Sequence, residues 1–249
     1  MGGASRNEKK RRQDEAARRL AAAGIQVPPK KGPNRTTIIV AAVLAIVVIA
    51  GLAVYLLRGS SGGSAAPTYS ASQSGAVVTV GSGPAVIDIY EDYLCPICER
   101  FEERYGADLT TALNAKQITV RYHSIAILDS RTEPAGYSTR AANAALCSVD
   151  AGIYPAYHKK LFDSQPAEGS AGLTDDELVA FGTDLKAQGD FAGCVNGATN
   201  AKLVTAETDK ATSDPALQTD GQFGTPTVAI GGKKVDISNS NWLQDAIAG

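Results

Sequence analysis

The chain has 249 residues, 44% hydrophobic and 20% charged, enough for one sizeable globular domain with accessory segments. Its net charge of −2 hides an asymmetry: residues 1–35 hold ten Lys/Arg against Glu8, Asp14 and Glu15, whereas the chain beyond position 57 holds 14 Lys/Arg against 23 Asp/Glu, a net −9. So acidic a body argues against nucleic-acid binding, which draws on phosphate neutralisation.

Residues 1–35 read as a basic cytoplasmic tail. Within it, residues 5–23 are rich in Lys, Arg, Glu and Ala. They suit either a solvated helix facing anionic headgroups or a flexible topogenic tail. Val27-Pro28-Pro29 and Gly32-Pro33 end any such helix. Residues 36–57 follow as a transmembrane helix. Ile38 to Leu57 is apolar apart from small residues and Tyr55, and a helix of that length covers about 30 Å, the hydrocarbon thickness. The run is longer and begins later than the apolar region of a signal peptide, and Pro67 directly follows the cleavage-like Ser64-Ala65-Ala66. A retained single-pass anchor is therefore expected, embedded in the lipid bilayer through residues 36–57. Positive charge before the span, with only Arg58 soon after it, places the N-terminus in the cytoplasm and the body outside. Residues 58–75, dominated by Gly, Ser and Ala, read as a flexible linker.

A folded domain is expected over residues 76–249. Ala85 to Tyr90 reads as a buried strand, and Pro96 to Leu113 as a helix with proline in its first turn. Ile118, Val120 and Tyr122 alternate with Thr119, Arg121 and His123 as in a half-buried strand. From about 134 to 212 the pattern turns helical. Ala141, Ala145, Leu146 and Val149 mark one helix, and Tyr157, Leu161 and Phe162 a second. A Thr174/Glu177 capping box opens a third with Leu178, Phe181 and Leu185 on one face, and 191–212 forms a fourth. Thr227–Ile230 and Lys234–Ile237 flank Gly231-Gly232 as a tight hairpin. Trp242, Leu243 and Ile247 fit a short final helix.

The chemistry concentrates at Cys95-Pro96-Ile97-Cys98. Residues three apart on a helix are neighbours, so the two sulfurs can bond or separate with little backbone motion. Cys98, Phe101, Tyr105 and Leu109 share one stripe, which turns Cys98 inward and leaves Cys95 as the exposed sulfur at the helix start. Unpaired N–H groups there favour an anion and lower a thiol pKa. Cys95 is thus expected to be the attacking or attacked sulfur and Cys98 the resolving one. Half a zinc site is disfavoured, because no second Cys-x-x-Cys exists and His123 and His158 lack ligand spacing. No metal or cofactor is expected. Both histidines read as ordinary surface or partly buried residues. Pro226, in Gly224-Thr225-Pro226-Thr227, cannot donate to a sheet ladder and marks an edge or turn. Cys147 and Cys194 stand alone in the helical block. A structural disulfide is the preferred reading and a second redox centre the alternative, with connectivity left open.

"IYEDYLCPICERFEE" and "GTPTVAI" resemble the redox helix and cis-proline loop of the thioredoxin superfamily, its DsbA-like branch in particular. The resemblance implies an α/β thioredoxin fold with a helical insertion, here preceded by one N-terminal transmembrane helix. It also implies a cis Pro226, with Thr225 offering backbone groups to an extended substrate. Similar anchored proteins oxidise exported cysteine-containing proteins and are reoxidised by a quinone-linked membrane partner of the DsbB or vitamin K epoxide reductase type. Two departures stand out. Ile89 occupies the place of a buried acid six residues before the first cysteine, and the neighbouring Asp88 points to the opposite face, so a buried-carboxylate relay is not expected. Ile97 replaces the histidine of strongly oxidising relatives, so Pro96 and Ile97 should tune the pair to a less extreme potential. The expected activity is oxidation of exported proteins. The alternatives are a reductase or isomerase using the same pair, or a non-catalytic envelope peptide-binding protein.

Overall fold

The computed structural model describes residues 66–249 and scattered positions between Glu8 and Ala22. Those scattered positions are helical and exposed, with Arg12 paired to Glu8 one turn back at 2.9 Å. The expected span at 36–57 lies outside the described residues, as does the linker up to residue 65. Among the described residues no helix is long and apolar enough to cross a membrane.

Six strands form one sheet: β1 (Ala71–Ser74), β2 (Val77–Gly81), β3 (Ala85–Glu91), β4 (Ile118–Ser124), β5 (Thr227–Ile230) and β6 (Lys233–Lys234), in the order β1-β2-β4-β3-β5-β6. The central β3 runs parallel to β4 and antiparallel to β5. Its Ile87 and Ile89 are fully buried, and its carboxyl end delivers the chain to the Cys-x-x-Cys segment. Helix α1 (Pro96–Asn114) makes the parallel crossover to β4, since parallel neighbours cannot be joined by a hairpin. It buries Cys98, Phe101, Tyr105, Leu109, Ala112 and Leu113, the stripe that the spacing predicts. The final helix, α7 (Trp242–Ala248), closes that face: Trp242 stacks on Phe101 and meets Tyr105 edge-on.

Between β4 and β5 lies the helical insertion: α2 (Tyr137–Asp150), α3 (Tyr154–Asp163), α4 (Asp175–Asp184), α5 (Phe191–Asn196) and α6 (Ala201–Ser213). The capping box opening α4 is present, with Glu177 N–H donating to Thr174 Oγ1 and Thr174 N–H to Glu177 Oε2. Cys147 on α2 and Cys194 on α5 form a disulfide with Cα atoms 5.9 Å apart.

The structure corrects four expectations. The single helix over 191–212 is two, because Gly197 ends α5, Ala198 takes a left-handed φ of 47° and Asn200 is held by Asn143 before α6 begins. The last strand shrinks to Lys233–Lys234, as the Asp236 side chain binds Ser238 and turns the backbone away from β5. Ala71–Ser74, assigned to the linker, is an edge strand paired with β2. His123 and His158 are both buried. His123 sits between Asp88 at 3.0 Å and Glu207 at 2.7 Å, fastening α6 to the sheet face opposite α1. Burial opposes its charge, but the two carboxylates outweigh burial and raise its pKa.

The disulfide encloses much of the insertion, 47 positions apart in sequence. Replacing Cys147 and Cys194 together by alanine is expected to cost about 4 kcal/mol of unfolding free energy in the chain-entropy picture. Denaturant unfolding with the Cys95–Cys98 pair held in one redox state measures it, and a loss below about 1 kcal/mol would show that the helices hold the block without the crosslink.

Candidate active site

Cys95 is the N-cap of α1, in an extended conformation with Pro96 as the first helical residue. Its carbonyl accepts N–H bonds from Cys98 at 3.0 Å and Glu99 at 3.2 Å, which starts the helix at the motif itself. The preceding turn is fixed by Asp92: its carboxylate accepts N–H bonds from Leu94 and Leu128, both at 2.9 Å, and its carbonyl accepts one from Cys95. The Gln165 side chain, reaching over from the end of the α3 segment, donates to the carbonyls of Tyr93 and Cys95. Both motif cysteines are free thiols.

Opposite them, the Thr225–Pro226 bond is cis, and Thr225 faces Cys95 with two groups. Its carbonyl accepts the Cys95 thiol at 3.3 Å. Its Oγ1 is buried with no protein partner and is placed to support the thiolate. Cys95 is therefore more enclosed than its position at the helix start predicts. It keeps 5% of its surface accessible against 1% for Cys98, because the Thr225-Pro226 loop covers it. The order of exposure holds; the openness does not.

The two sulfurs are electrostatically opposed. A hydrogen bond from Cys98, aided by Thr225 and by the N–H groups of Cys98 and Ile97, outweighs burial and lowers the Cys95 thiol to about 6. Burial, and then the neighbouring Cys95, push Cys98 well above the ordinary value. These shifts favour the anion at Cys95 and the protonated thiol at Cys98 at neutral pH. Residues 76–248 match the family described as Thioredoxin, and a strand, a Cys-x-x-Cys helix and a cis-proline loop occupy that match.

The chain belongs to the thioredoxin family. Its architecture is similar to that of DsbA from Mycobacterium tuberculosis in the oxidised form, at 27% identity with 72% of this chain and 90% of that one covered and a TM-score of 0.58. DsbG from the same organism, titled a disulfide bond oxidoreductase, is 28% identical, with 67% and 80% covered and a TM-score of 0.58. MdbA of Corynebacterium diphtheriae, titled a thiol-disulfide oxidoreductase, shares the fold at 23% identity, 74% and 96% coverage and a TM-score of 0.62. In sequence, 174 residues are 34% identical to the serine/threonine-protein kinase PknE of Mycobacterium tuberculosis. That match takes in 67% of this chain but only 30% of the kinase, so it says nothing of kinase activity here.

In this thioredoxin domain, Asp88 lies on the far face of β3 as alternation predicts, bound to Arg121 and His123. Sequence reasoning missed the acids that do sit near the sulfurs. Asp92 is fully buried, and burial lifts its carboxyl to about 6 against the bonds from Ser138, Leu94 and Leu128 that favour its charge. Glu91 is buried beside His158 at 2.5 Å. The one available signal was the pair of acids at the end of a buried strand, directly before the motif. Ile97, half exposed, and Pro226 border a groove of about 610 Å³ that also involves Arg100, Phe101, Arg104 and Ile237.

Thiolate absorbance of the reduced protein is expected to titrate with a midpoint near 6. Thr225→Val, which removes the hydroxyl but keeps the carbonyl, should move that midpoint upward; an unchanged midpoint would show that the hydroxyl does not support the sulfur. Because the folded value lies below the ordinary 9.0, this group adds stability to the reduced protein as pH rises from 6 to 9, and that gain is lost as pH falls back through 6.

Proposed function

We propose that this chain is a membrane-anchored protein thiol–disulfide oxidoreductase, working outside the cytoplasm and oxidising cysteines of exported proteins through Cys95 and Cys98. The observation that carries the reading is the placement of the sulfurs, Cys95 at the helix mouth against the carbonyl of the cis Thr225–Pro226 bond and Cys98 sealed one turn deeper, an arrangement that lowers the first thiol and raises the second. In the disulfide form, a client thiolate attacks Sγ of Cys95. A client–Cys95 disulfide forms, and Cys98 leaves with the bonding electrons and takes up a proton. A second client thiolate then attacks the client sulfur of that mixed disulfide, and Cys95 departs as a stable thiolate. The client loses two electrons, and the pair gains them.

The same contrast supports that direction. An anion stabilised in the dithiol form favours reduction of the pair, which makes its disulfide an oxidant. Ile97 offers no imidazolium to the thiolate, which keeps the oxidising power moderate. The client lies extended along the groove between Ile97 and Pro226, where Thr225 offers backbone groups. The likeness to proteins titled DsbA and MdbA supports this chemistry. Residues 36–57 serve as the anchor, with residues 1–35 in the cytoplasm, and a quinone-linked membrane partner of the DsbB or vitamin K epoxide reductase type restores the disulfide. Cys147–Cys194 has a structural role.

Expressed in cells, Cys98→Ala is expected to accumulate mixed disulfides with exported cysteine-containing proteins, because its Cys95 thiolate attacks a client disulfide in the reverse exchange and no Cys98 is present to release the client, and Cys95→Ser to accumulate none. Equilibration of the wild-type pair with glutathione should give a potential between about −270 mV, that of thioredoxin, and about −120 mV, that of a strong oxidant. A value at or below about −270 mV would reverse the direction and favour a reductant. Undiminished function of Cys95→Ser in cells would instead favour a non-catalytic peptide-binding protein.

A further inference from the structure

Behind the redox helix, three ligand-type side chains from separate elements converge: Glu91 at the end of β3, Glu102 one turn beyond Cys98 on α1, and His158 on α3. One donor atom from each lies within 4.8 Å of the others. Glu91 is 1% exposed and His158 5%, and His158 Nε2 is 2.5 Å from Glu91 Oε1. The remaining oxygens are not provided for. Glu91 Oε2 and Glu102 Oε1 are buried without a protein hydrogen bond, and so are the hydroxyls of the enclosed Tyr93 and Tyr154. The rings of both tyrosines pack on His158, with centroids 5.8 and 5.6 Å away. Buried polar atoms are seldom left unpaired, and the two carboxylate oxygens of this cluster call for a ligand that unites them.

We propose that Glu91, Glu102 and His158 bind one divalent first-row transition ion of the zinc or manganese kind. Carboxylate oxygens with one imidazole nitrogen suit such ions, and the paired atoms need to open only enough for an ion to replace the proton between them. Sequence spacing gives no hint of the set, because its members meet only when the insertion folds against β3 and α1.

The ion competes with protons. Burial lifts the Glu102 carboxyl to about 7, and His158 is raised by Glu91 against the opposing effect of burial. Around them stand Cys98 on α1, Tyr122 on β4, and Tyr154 and Lys159 on α3. Carboxylate and imidazole ligands bind an ion only when deprotonated, so affinity weakens as pH falls. Glu91 also opposes ionisation of Cys98, so a cation at the site eases formation of that second thiolate.

The test is calorimetric titration of the full chain with Zn²⁺ or Mn²⁺ while Cys95 and Cys98 are held as a disulfide, which removes the thiols as rival ligands. One ion per chain is expected. Glu102→Gln and His158→Gln should each weaken binding by about 10–100-fold or more, and Glu99→Gln should leave it unchanged. No saturable binding would overturn the proposal and leave a water-filled chamber. Equal binding by the two variants would overturn it in favour of surface carboxylates. Should His158→Gln fail to fold, Glu102→Gln decides, its residue being only partly buried. The site rests on this geometry alone, so its failure leaves the oxidoreductase reading untouched.

Discussion

A single negative sulfur at the mouth of α1 is the constraint on which the rest of the molecule bears. Left in an ordinary loop, the Cys95 thiol would hold its proton at neutral pH, and its disulfide with Cys98 would be a linkage with no preferred direction. The first-turn N–H groups, the Cys98 thiol and the Thr225 hydroxyl change that balance together, overcoming the burial that acts against charge. None of these groups suffices unless its geometry is fixed before the electrons move, since the benefit comes from donors already in place.

Most of the fold serves that fixity. The buried centre of β3, Ile87 to Ile89, supplies a rigid base, and Asp92 ties the turn after it to Leu94 and to Leu128 beyond β4. Trp242 of the last helix locks Phe101 and Tyr105, which sets the roll of α1 and hence the direction of Cys98. The insertion contributes Gln165 and His158 to the rear of the site, so it shapes the sulfur environment as well as covering the sheet. On the opposite face, Asp88, His123 and Glu207 hold α6 to the sheet through buried charge.

Local periodicity made the frame legible in the sequence. Cys98, Phe101, Tyr105 and Leu109 announced both the helix and its inward face, and Thr174 with Glu177 announced a helix start, because each signal is complete within one element. Cys95 and Cys98 were legible as candidates because thiol exchange needs two sulfurs one turn apart, Pro226 marked an edge or turn because proline is out of place in a ladder, and Thr225 and the cis bond were expected only through the resemblance to a cis-proline loop. What could not be read depends on meetings between distant elements. Glu91, Asp92, Glu102 and His158 look like ordinary polar residues until the insertion packs against the redox helix and the end of β3, with His158 of α3 meeting Glu91 and Ser138 of α2 meeting Asp92. The enclosure of Cys95 likewise arises from a loop 130 positions away. Ala71–Ser74 carries no apolar alternation, and it becomes a strand only because β2 offers it an edge.

The most direct measurement of the central claim is the pH dependence of the reduction potential of the Cys95–Cys98 pair. A dithiol that binds both protons changes by about 59 mV per pH unit, and one that binds a single proton by about 30 mV. The slope is expected to fall from the steeper value to the shallower one near pH 6, where Cys95 loses its proton. A steep line running unbroken to pH 8 would mean that both sulfurs are protonated at neutral pH, and that the helix mouth holds no anion.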